Sequence, residues 1–423
     1  MFKIKEHKQA TEHKPIIKVP LPKIVYLPLS QHLGQICSPE AAVGDIVALG
    51  QRIAGAQAKV FSPIHASLSG RVAAIRDWPH PVLGRCKAVV IESDGLDRPK
   101  STGQRAQEEL DKLTPEQIRA IVFEAGIVGM GGATFPAHIK LNPPKPVDTL
   151  IINGAECEPY LTGDSRLMVE KTEEIIKGIV LLKKCLGVQK VYIAIEDNKP
   201  EAINKFEILN SKFEIKILKS QYPQGGEKQL IKNILSKEVP QGKLPFDIGL
   251  VVHNVATVYA IYDAVYNNKP LYERVVTVTG SCLTNPQNLL VRLGTPIKEL
   301  IDFCGPLKEE PAKIIIGGPM MGIAQYTTDV PIIKSSGGVV LLNKKEAKQQ
   351  EEEFCIRCGA CVRECPAGLM PCLINLASEK EIWAEAKALN AMDCIECGLC
   401  NYVCPANRKL TQSIRRAKLE ASR

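Results

Sequence analysis

Cys355-Ile-Arg-Cys-Gly-Ala-Cys-Val-Arg-Glu-Cys-Pro366 and Cys394-Ile-Glu-Cys-Gly-Leu-Cys-Asn-Tyr-Val-Cys-Pro405 are two copies of one pattern, C-x-x-C-x-x-C-x-x-x-C-Pro. The chain has fifteen cysteines in 423 residues, and nine of them fall between 355 and 404. Disulfides belong to small secreted domains, whereas cysteines crowded into one segment of a long chain point to metal in a reducing compartment. Structural zinc also uses C-x-x-C pairs, but four ligands per site leave no reason for the third C-x-x-C step or the x-x-x-C-Pro ending.

The spacing matches that of bacterial two-cluster ferredoxins, in which each copy gives three thiolates to one cubane and its fourth to the other. By that pattern one 4Fe–4S cluster takes Cys355, Cys358, Cys361 and Cys404, and the second takes Cys394, Cys397, Cys400 and Cys365. Two-residue gaps let a tight loop wrap three corners of a cube, and the proline after each fourth cysteine stops the loop from continuing as a helix. Cys372 has no place in this count and reads as a packed thiol. Such clusters pass single electrons, so the chain either receives single electrons or holds a two-electron cofactor that splits pairs.

Upstream, Gly126-Ile-Val-Gly-Met-Gly-Gly-Ala-Thr-Phe-Pro-Ala-His-Ile-Lys140 is a candidate for holding such a cofactor. Gly129, Gly131 and Gly132 leave backbone N–H groups open to a phosphate, and Lys140 adds positive charge. Thr134 stands where a dinucleotide fingerprint has its third glycine and no strand precedes directly, so alone the loop reads as a turn. Its surroundings change that. Val147–Ile152, Lys190–Ile195, Glu214–Leu218 and Asp247–Val252 read as strands, separated by helical stretches near 166–185, 200–208, 226–236 and 256–266, which implies a mainly parallel sheet covered by helices. Polar segments follow three strands: Asn153-Gly-Ala-Glu-Cys-Glu-Pro159, Tyr222-Pro-Gln-Gly-Gly-Glu-Lys228 and His253-Asn-Val-Ala-Thr257. Open α/β sheets bind ligands at the carboxyl ends of their strands. Cys157 reads as a small packed residue, and the seven histidines form no paired ligand spacing.

The loop with Asn153, Glu156, Glu158, Tyr222, Gly225, Gly226, Glu227, Asn254 and Thr257 resembles the FMN- and NADH-binding site of the flavoprotein subunit of respiratory complex I. The order of modules and the phrases GMGGATFP (129–136), INGAECEPY (152–160) and YPQGGEKQLI (222–231) are similar to the RnfC (RsxC) members of the Rnf electron transport complexes. The resemblance implies that Gly129, Gly131, Gly132 and Lys140 hold the phosphate side of noncovalent FMN. Asn153, Tyr222, Gly225 and Asn254 would approach the flavin, and Glu158 and Glu227 would lie near the nicotinamide of NADH, with no side chain acting as acid, base or nucleophile. Ala155, Met130 and Gly226 depart from the complex I pattern, which has an acid, a basic residue and a Glu there.

By the same resemblance the chain is an NADH-dependent oxidoreductase subunit of an ion-translocating complex, exchanging electrons with ferredoxin through integral-membrane and iron–sulfur partner subunits. It would lie peripherally on the cytoplasmic face of the bacterial inner membrane. The expected fold is multidomain α/β: a barrel-sandwich hybrid β module (1–105), an FMN/NADH-binding α/β domain (106–270), a small SLBB-like α+β module (271–340) and an α-helical double-cubane ferredoxin domain (341–423). Residues 30–95, with turn signals every few residues, read as short strands, and Ala66-Ser-Leu-Ser69 replaces the modifiable lysine of a carrier turn. A subunit of a soluble NADH-linked hydrogenase or bifurcating flavoprotein is the alternative. The first subunit of the sodium-pumping NADH:quinone reductase shares the architecture but lacks the cubane cysteines.

No apolar run approaches the ~20 residues of a membrane-spanning helix, and the opening MFKIKEHKQA has no signal-peptide core. Net charge is +8, with six Lys against two Glu in residues 1–23 and six Lys/Arg against one Glu in 405–423. The two ends therefore read as solvated basic tails or as attraction to an anionic surface or acidic partner. Basic tails without interleaved aromatics argue against nucleic acid.

Overall fold

The computed structural model describes residues 2–101, 103–209, 212–347 and 350–422. Lys348 and Gln349 of the charged linker 344–353, and Arg423 of the basic C-terminal end, lie outside the described residues.

The N-terminal module is all β. Two long strands, Gly70–His80 and Gly84–Ser93, form an antiparallel hairpin flanked by Ile24–Pro28 and Ile46–Val47, and a three-stranded sheet of Ser38–Pro39, Arg52–Gly55 and Ile64–His65 faces it. Val25, Leu27, Ile53, Ile64, Leu68, Val72, Val89 and Ile91 fill the space between the sheets.

The second domain is built on a four-stranded, all-parallel sheet in the order Glu214–Leu218, Lys190–Glu196, Thr149–Gly154, Leu250–Asn254. Thr149–Gly154 and Leu250–Asn254 are buried along nearly their whole length, as parallel strands covered on both faces must be. The helix Thr172–Leu186 carries Glu173 and Glu174 in its first turn, Lys183 and Lys184 in its last, and ends on left-handed Gly187, so charge and cap both favour it there. The expected helix 166–185 is two helices, Gly163–Glu170 and Thr172–Leu186. The expected strand from Asp247 starts instead at Leu250, because Pro245–Ile248 forms a 3-10 turn ending on left-handed Gly249.

The third module is a six-stranded mixed sheet in the order Ile16–Lys18, Gln287–Arg292, Glu273–Thr279, Gly338–Leu342, Lys313–Ile316, Ile323–Gln325. Its edge strand comes from the chain's beginning: Ile16, Ile17 and Lys18 pair in parallel with Asn288, Leu289 and Leu290. The basic N-terminus is thus part of the fold and not a solvated tail. Lys8 is 2% exposed, Thr11 is buried against Thr162 and Asn288, and Lys14 donates to Asn285 and Pro286.

Short helices Ala360–Arg363 and Leu399–Tyr402 end just before the fourth cysteine of each copy, and Pro371–Glu379, Trp383–Ala388 and Leu410–Ala421 pack around Ile374, Ala386 and Ile414. The basic C-terminal end is tied down as well. Arg415 and Lys418 both pair with Glu396, Arg416 with Glu381 and Arg408 with Glu379. No helix among the described residues is long and apolar enough to cross a membrane.

Candidate functional site

Three polar segments meet at the carboxyl edge of the parallel sheet, where Thr149–Gly154 and Leu250–Asn254 end side by side with Asn153 paired to Asn254. Asn254 closes its strand and starts the next helix, its Oδ1 accepting from the amides of Ala256 and Thr257. Its Nδ2 donates to Asp164 at 2.6 Å. Glu156 caps the neighbouring helix, taking the amides of Asp164 and Ser165. Burial and the nearby Glu156 raise Asp164 well above the ordinary carboxyl range. Asp164 is a site residue the sequence reading missed; its signal was an acid at a helix start a few residues past Glu158.

The glycine loop lies against this edge. Thr257 is buried and its Oγ1 accepts from the amide of Met130 at 2.8 Å. Gly129 exchanges backbone bonds with Phe135 and Thr134, folding the loop back on itself. Gly131, Gly132 and Ala133 at its tip are exposed, and their amides donate to no acceptor among the described residues. A side chain on Gly131 would sit 3.3 Å from the Asn254 Cβ, whereas Gly132 is open but needs glycine for its φ of 126°. Three free amides beside a crevice are a cradle for an anion, which fits a flavin phosphate. Beneath the loop, the fully buried Lys334 donates to the carbonyls of Gly126 and Pro63, both at 2.7 Å, and its pKa is lowered to about 7 by burial. No local pattern in the sequence singled it out.

Asn153 donates to the Gly225 carbonyl at 3.0 Å and accepts from Ala155, so two of the polar segments are bonded to each other. The Gly225 amide in turn donates to the Cys157 sulfur at 3.3 Å, and burial pushes that thiol up to about 12, so Cys157 is a protonated packing residue. Lys140 and Glu227 form an ion pair at 2.5 Å. Glu227 opens the helix Glu227–Leu235, for which Gly226 is the N-cap. Glu158 turns toward the third module, accepting from the amides of Met320 and Met321 at 3.1 and 2.8 Å. Burial pushes its pKa up to about 7 against the pull of those two amides. Tyr222 is 1% exposed, and its hydroxyl donates to the Cys397 carbonyl at 2.6 Å.

That bond leads to the cysteines. Cys365, Cys394, Cys397 and Cys400 line one cavity with Pro366, Leu369, Ile395, Thr411 and Ile414. Three come from the second copy and one from the first, the crossed set the ferredoxin spacing implies, and four soft sulfurs around one cavity fit a cubane. The other set is looser: Cys361 and Cys404 share an apolar cluster with Cys372, Cys400 and Leu410, while Cys355 and Cys358 are exposed.

Family models match four successive stretches of the chain: an RnfC barrel sandwich hybrid domain over 2–96, a Nuo51 FMN-binding domain over 122–263, an SLBB domain over 275–324 and a 4Fe-4S dicluster domain over 347–414. The C subunit of the proton-translocating ferredoxin:NAD+ oxidoreductase complex of Clostridium ljungdahlii is 48% identical over 98% of this chain and 92% of its own length. The chain belongs to the RnfC family. Among its relatives, the C subunit of the Na+-translocating ferredoxin:NAD+ oxidoreductase complex of Acetobacterium woodii is 45% identical over 98% of this chain and 94% of its own. The C subunit of the ion-translocating oxidoreductase complex of Rhodobacter capsulatus is 44% identical over 97% and 80%. Among solved structures, an NAD+-reducing NiFe hydrogenase in the H2-reduced state aligns with a TM-score of 0.52 at 17% identity, covering 76% of this chain and 68% of that one, which shows shared fold.

Proposed function

We propose that this chain is the electron-input subunit of a membrane-bound, ion-translocating complex that exchanges electrons between NADH and ferredoxin. One observation carries this reading: a crevice with an anion cradle at a parallel-sheet edge is joined, through Tyr222 and Gln229, to a cavity lined by four cysteines. Bound FMN would convert hydride chemistry into single electrons, and two 4Fe–4S clusters would relay them.

The chain's own contribution is placement. The free amides of Gly131, Gly132 and Ala133 would hold the phosphate, with Gly129 folding the loop and Lys140 adding positive charge that Glu227 balances. Asn153, Gly225 and Asn254 form the crevice floor. Glu156 fixes the floor by capping the helix that starts at Gly163, Asp164 by accepting from Asn254, and Thr257 fixes the loop. Glu158 braces one wall through Met320 and Met321. Cys355, Cys358, Cys361 and Cys404 hold one cluster, and Cys365, Cys394, Cys397 and Cys400 the other. No side chain among the described residues of the crevice is arranged as a nucleophile with a base, so orientation and electrostatics are what the protein adds to the cofactor's chemistry.

The modules divide at about residues 105, 270 and 340, except that the Ile16–Lys18 strand and the whole of Gly338–Leu342 belong to the third sheet. The integral-membrane and iron–sulfur subunits of the complex are the partners, and through them the chain sits on the cytoplasmic face of the bacterial inner membrane. Relatives matched over nearly their full length disfavour a subunit of a soluble hydrogenase. Anaerobically purified protein should contain about eight iron and about eight sulfide per chain together with FMN, and NADH should bleach both chromophores. Recovery of zinc in place of iron, or protein that takes up no flavin, overturns the reading.

A further inference from the structure

The two cysteine copies are alike in sequence, but the structure presents them differently to the rest of the chain. Four contacts from the flavin-binding domain and the third module fall on Cys397 or on residues next to Cys365, Cys394 and Cys397. Tyr222 donates to the Cys397 carbonyl, and Gln229 donates to the carbonyl of Pro366, the residue after Cys365, at 3.3 Å. Gly398 packs on the Met320 carbonyl, and Ile395 shares an apolar cluster with Tyr222, Cys157 and Met320. The chain's first residues reinforce this seat: Phe2 exchanges two backbone hydrogen bonds with Tyr222, its ring meets Tyr402 edge-on at 5.9 Å, and Ile4 is buried with Tyr222, Cys397 and Leu399. At the other end, Cys355 and Cys358 are exposed, and Phe354 and Ile356 beside them are 94% and 65% exposed.

We propose that Tyr222 is a positioning residue that seats the Cys365/Cys394/Cys397/Cys400 end of the dicluster domain against the flavin crevice, so that electrons enter the domain at this end and leave it at the Cys355/Cys358 end. Each pass oxidises the donor by one electron and reduces the one-electron partner by one, and no bond is made or broken. The order rests on the proposed function, since it presupposes a flavin donor and two clusters. It adds a direction that neither the cysteine pattern nor the crossed ligation contains.

Two single-cluster variants of the full chain test it. Cys355→Ala removes a ligand of the exposed set and Cys365→Ala one of the seated set, and electron paramagnetic resonance after dithionite verifies that each keeps its other cluster. Rapid freezing after NADH should show the surviving cluster of Cys355→Ala reduced at the wild-type rate, and that of Cys365→Ala left oxidised. The reverse pattern, or equal behaviour of the two variants, overturns the order. Wild-type protein whose clusters do not respond to NADH at all would instead overturn the proposed function.

Tyr222→Phe keeps the ring and removes only the hydroxyl, so it tests the positioning role without depending on either cluster being lost. Both clusters should still appear after dithionite, while amide hydrogen exchange across 395–400 speeds up about fivefold, the effect of one lost hydrogen bond. Unchanged exchange in that segment would remove Tyr222 from the role.

Discussion

Gly359 and Gly398 follow the second cysteine of their respective copies and have nearly the same backbone, φ 73° and φ 76°. An alanine at either must enter the left-handed region, at a cost of about 1–2 kcal/mol. Their surroundings differ. A Cβ on Gly359 would meet only the end of the Arg363 side chain, at 3.1 Å, which can swing aside. A Cβ on Gly398 would lie 2.6 Å from the backbone carbonyl of Met320 in another module, and that carbonyl belongs to the turn held by Glu158. Relieving this overlap means shifting backbone between modules, which adds about 1–3 kcal/mol. Gly359→Ala should therefore lower stability by about 1–2 kcal/mol and Gly398→Ala by about 2–5 kcal/mol. Thermal melts followed by loss of cluster absorbance in the anaerobic holoprotein should rank wild type above Gly359→Ala above Gly398→Ala. Because several domains and bound cofactors make one unfolding free energy ill-defined, the ranking is the quantity to compare. Equal melting of the two variants would refute the claim that the second copy is wedged against the third module.

Gly131→Val puts a branched side chain 3.3 Å or less from Asn254 at the tip of the anion cradle and should empty the flavin site while both clusters survive, so that dithionite still bleaches them and NADH does not. The flavin should be released completely by mild acid precipitation, since the residues around the crevice offer backbone amides and an ion-paired lysine for its phosphate; flavin retained in the pellet would contradict this. Glu158 has a folded-state pKa raised to about 7 by burial, above its unfolded value, so the folded state holds the extra proton and this group's contribution to stability is lost as pH rises through the window from the ordinary carboxyl range to about 7. Glu158→Gln should flatten that part of the stability profile between about pH 5 and pH 8, and melts of the two proteins that stay parallel across the range would count against the buried proton.

The grouping of Cys365 with Cys394, Cys397 and Cys400 and the sheet edge were readable because each has a short-range signature: fixed spacing for the cysteines, and apolar strands ending in Asn, Gly and Glu for the crevice. The strap formed by residues 2–18 was not readable. Its sequence is rich in Lys and Glu with no apolar period, and its partners are far along the chain, Glu156 for Lys8, Asn288 for Ile16 and Tyr222 for Phe2. Charge counting therefore assigned to solvent a lysine that is buried, because composition records how many charges there are and not whether a carbonyl waits for one. Lys334 escaped notice for the same reason: its three acceptors, Ser62, Pro63 and Gly126, come from two other modules. The C-terminal basic residues repeat the lesson at shorter range, since Glu396, which pairs with both Arg415 and Lys418, lies inside the second cysteine copy itself.

A repeated motif specifies ligands twice over but cannot say which copy faces the donor. That asymmetry is carried by residues outside the repeat: Tyr222 and Gln229 on one module, Met320 on another, and Phe2 and Ile4 at the start of the chain. Within the repeat only small differences answer to them. Ile395, Gly398 and Leu399 of the second copy are packed against these partners, whereas Ile356, at the place of Ile395, is left in solvent. An identical pair of glycines thus has two different reasons to be glycine, one set by φ alone and one by φ together with a neighbouring carbonyl. Exchanging the two cysteine loops would preserve all eight cysteines and both left-handed turns, yet put Ala360 where Leu399 fills the cluster beneath Tyr222. The seat of the second copy is in this sense a property of the interface between modules, and the cysteine pattern supplies only what is seated there.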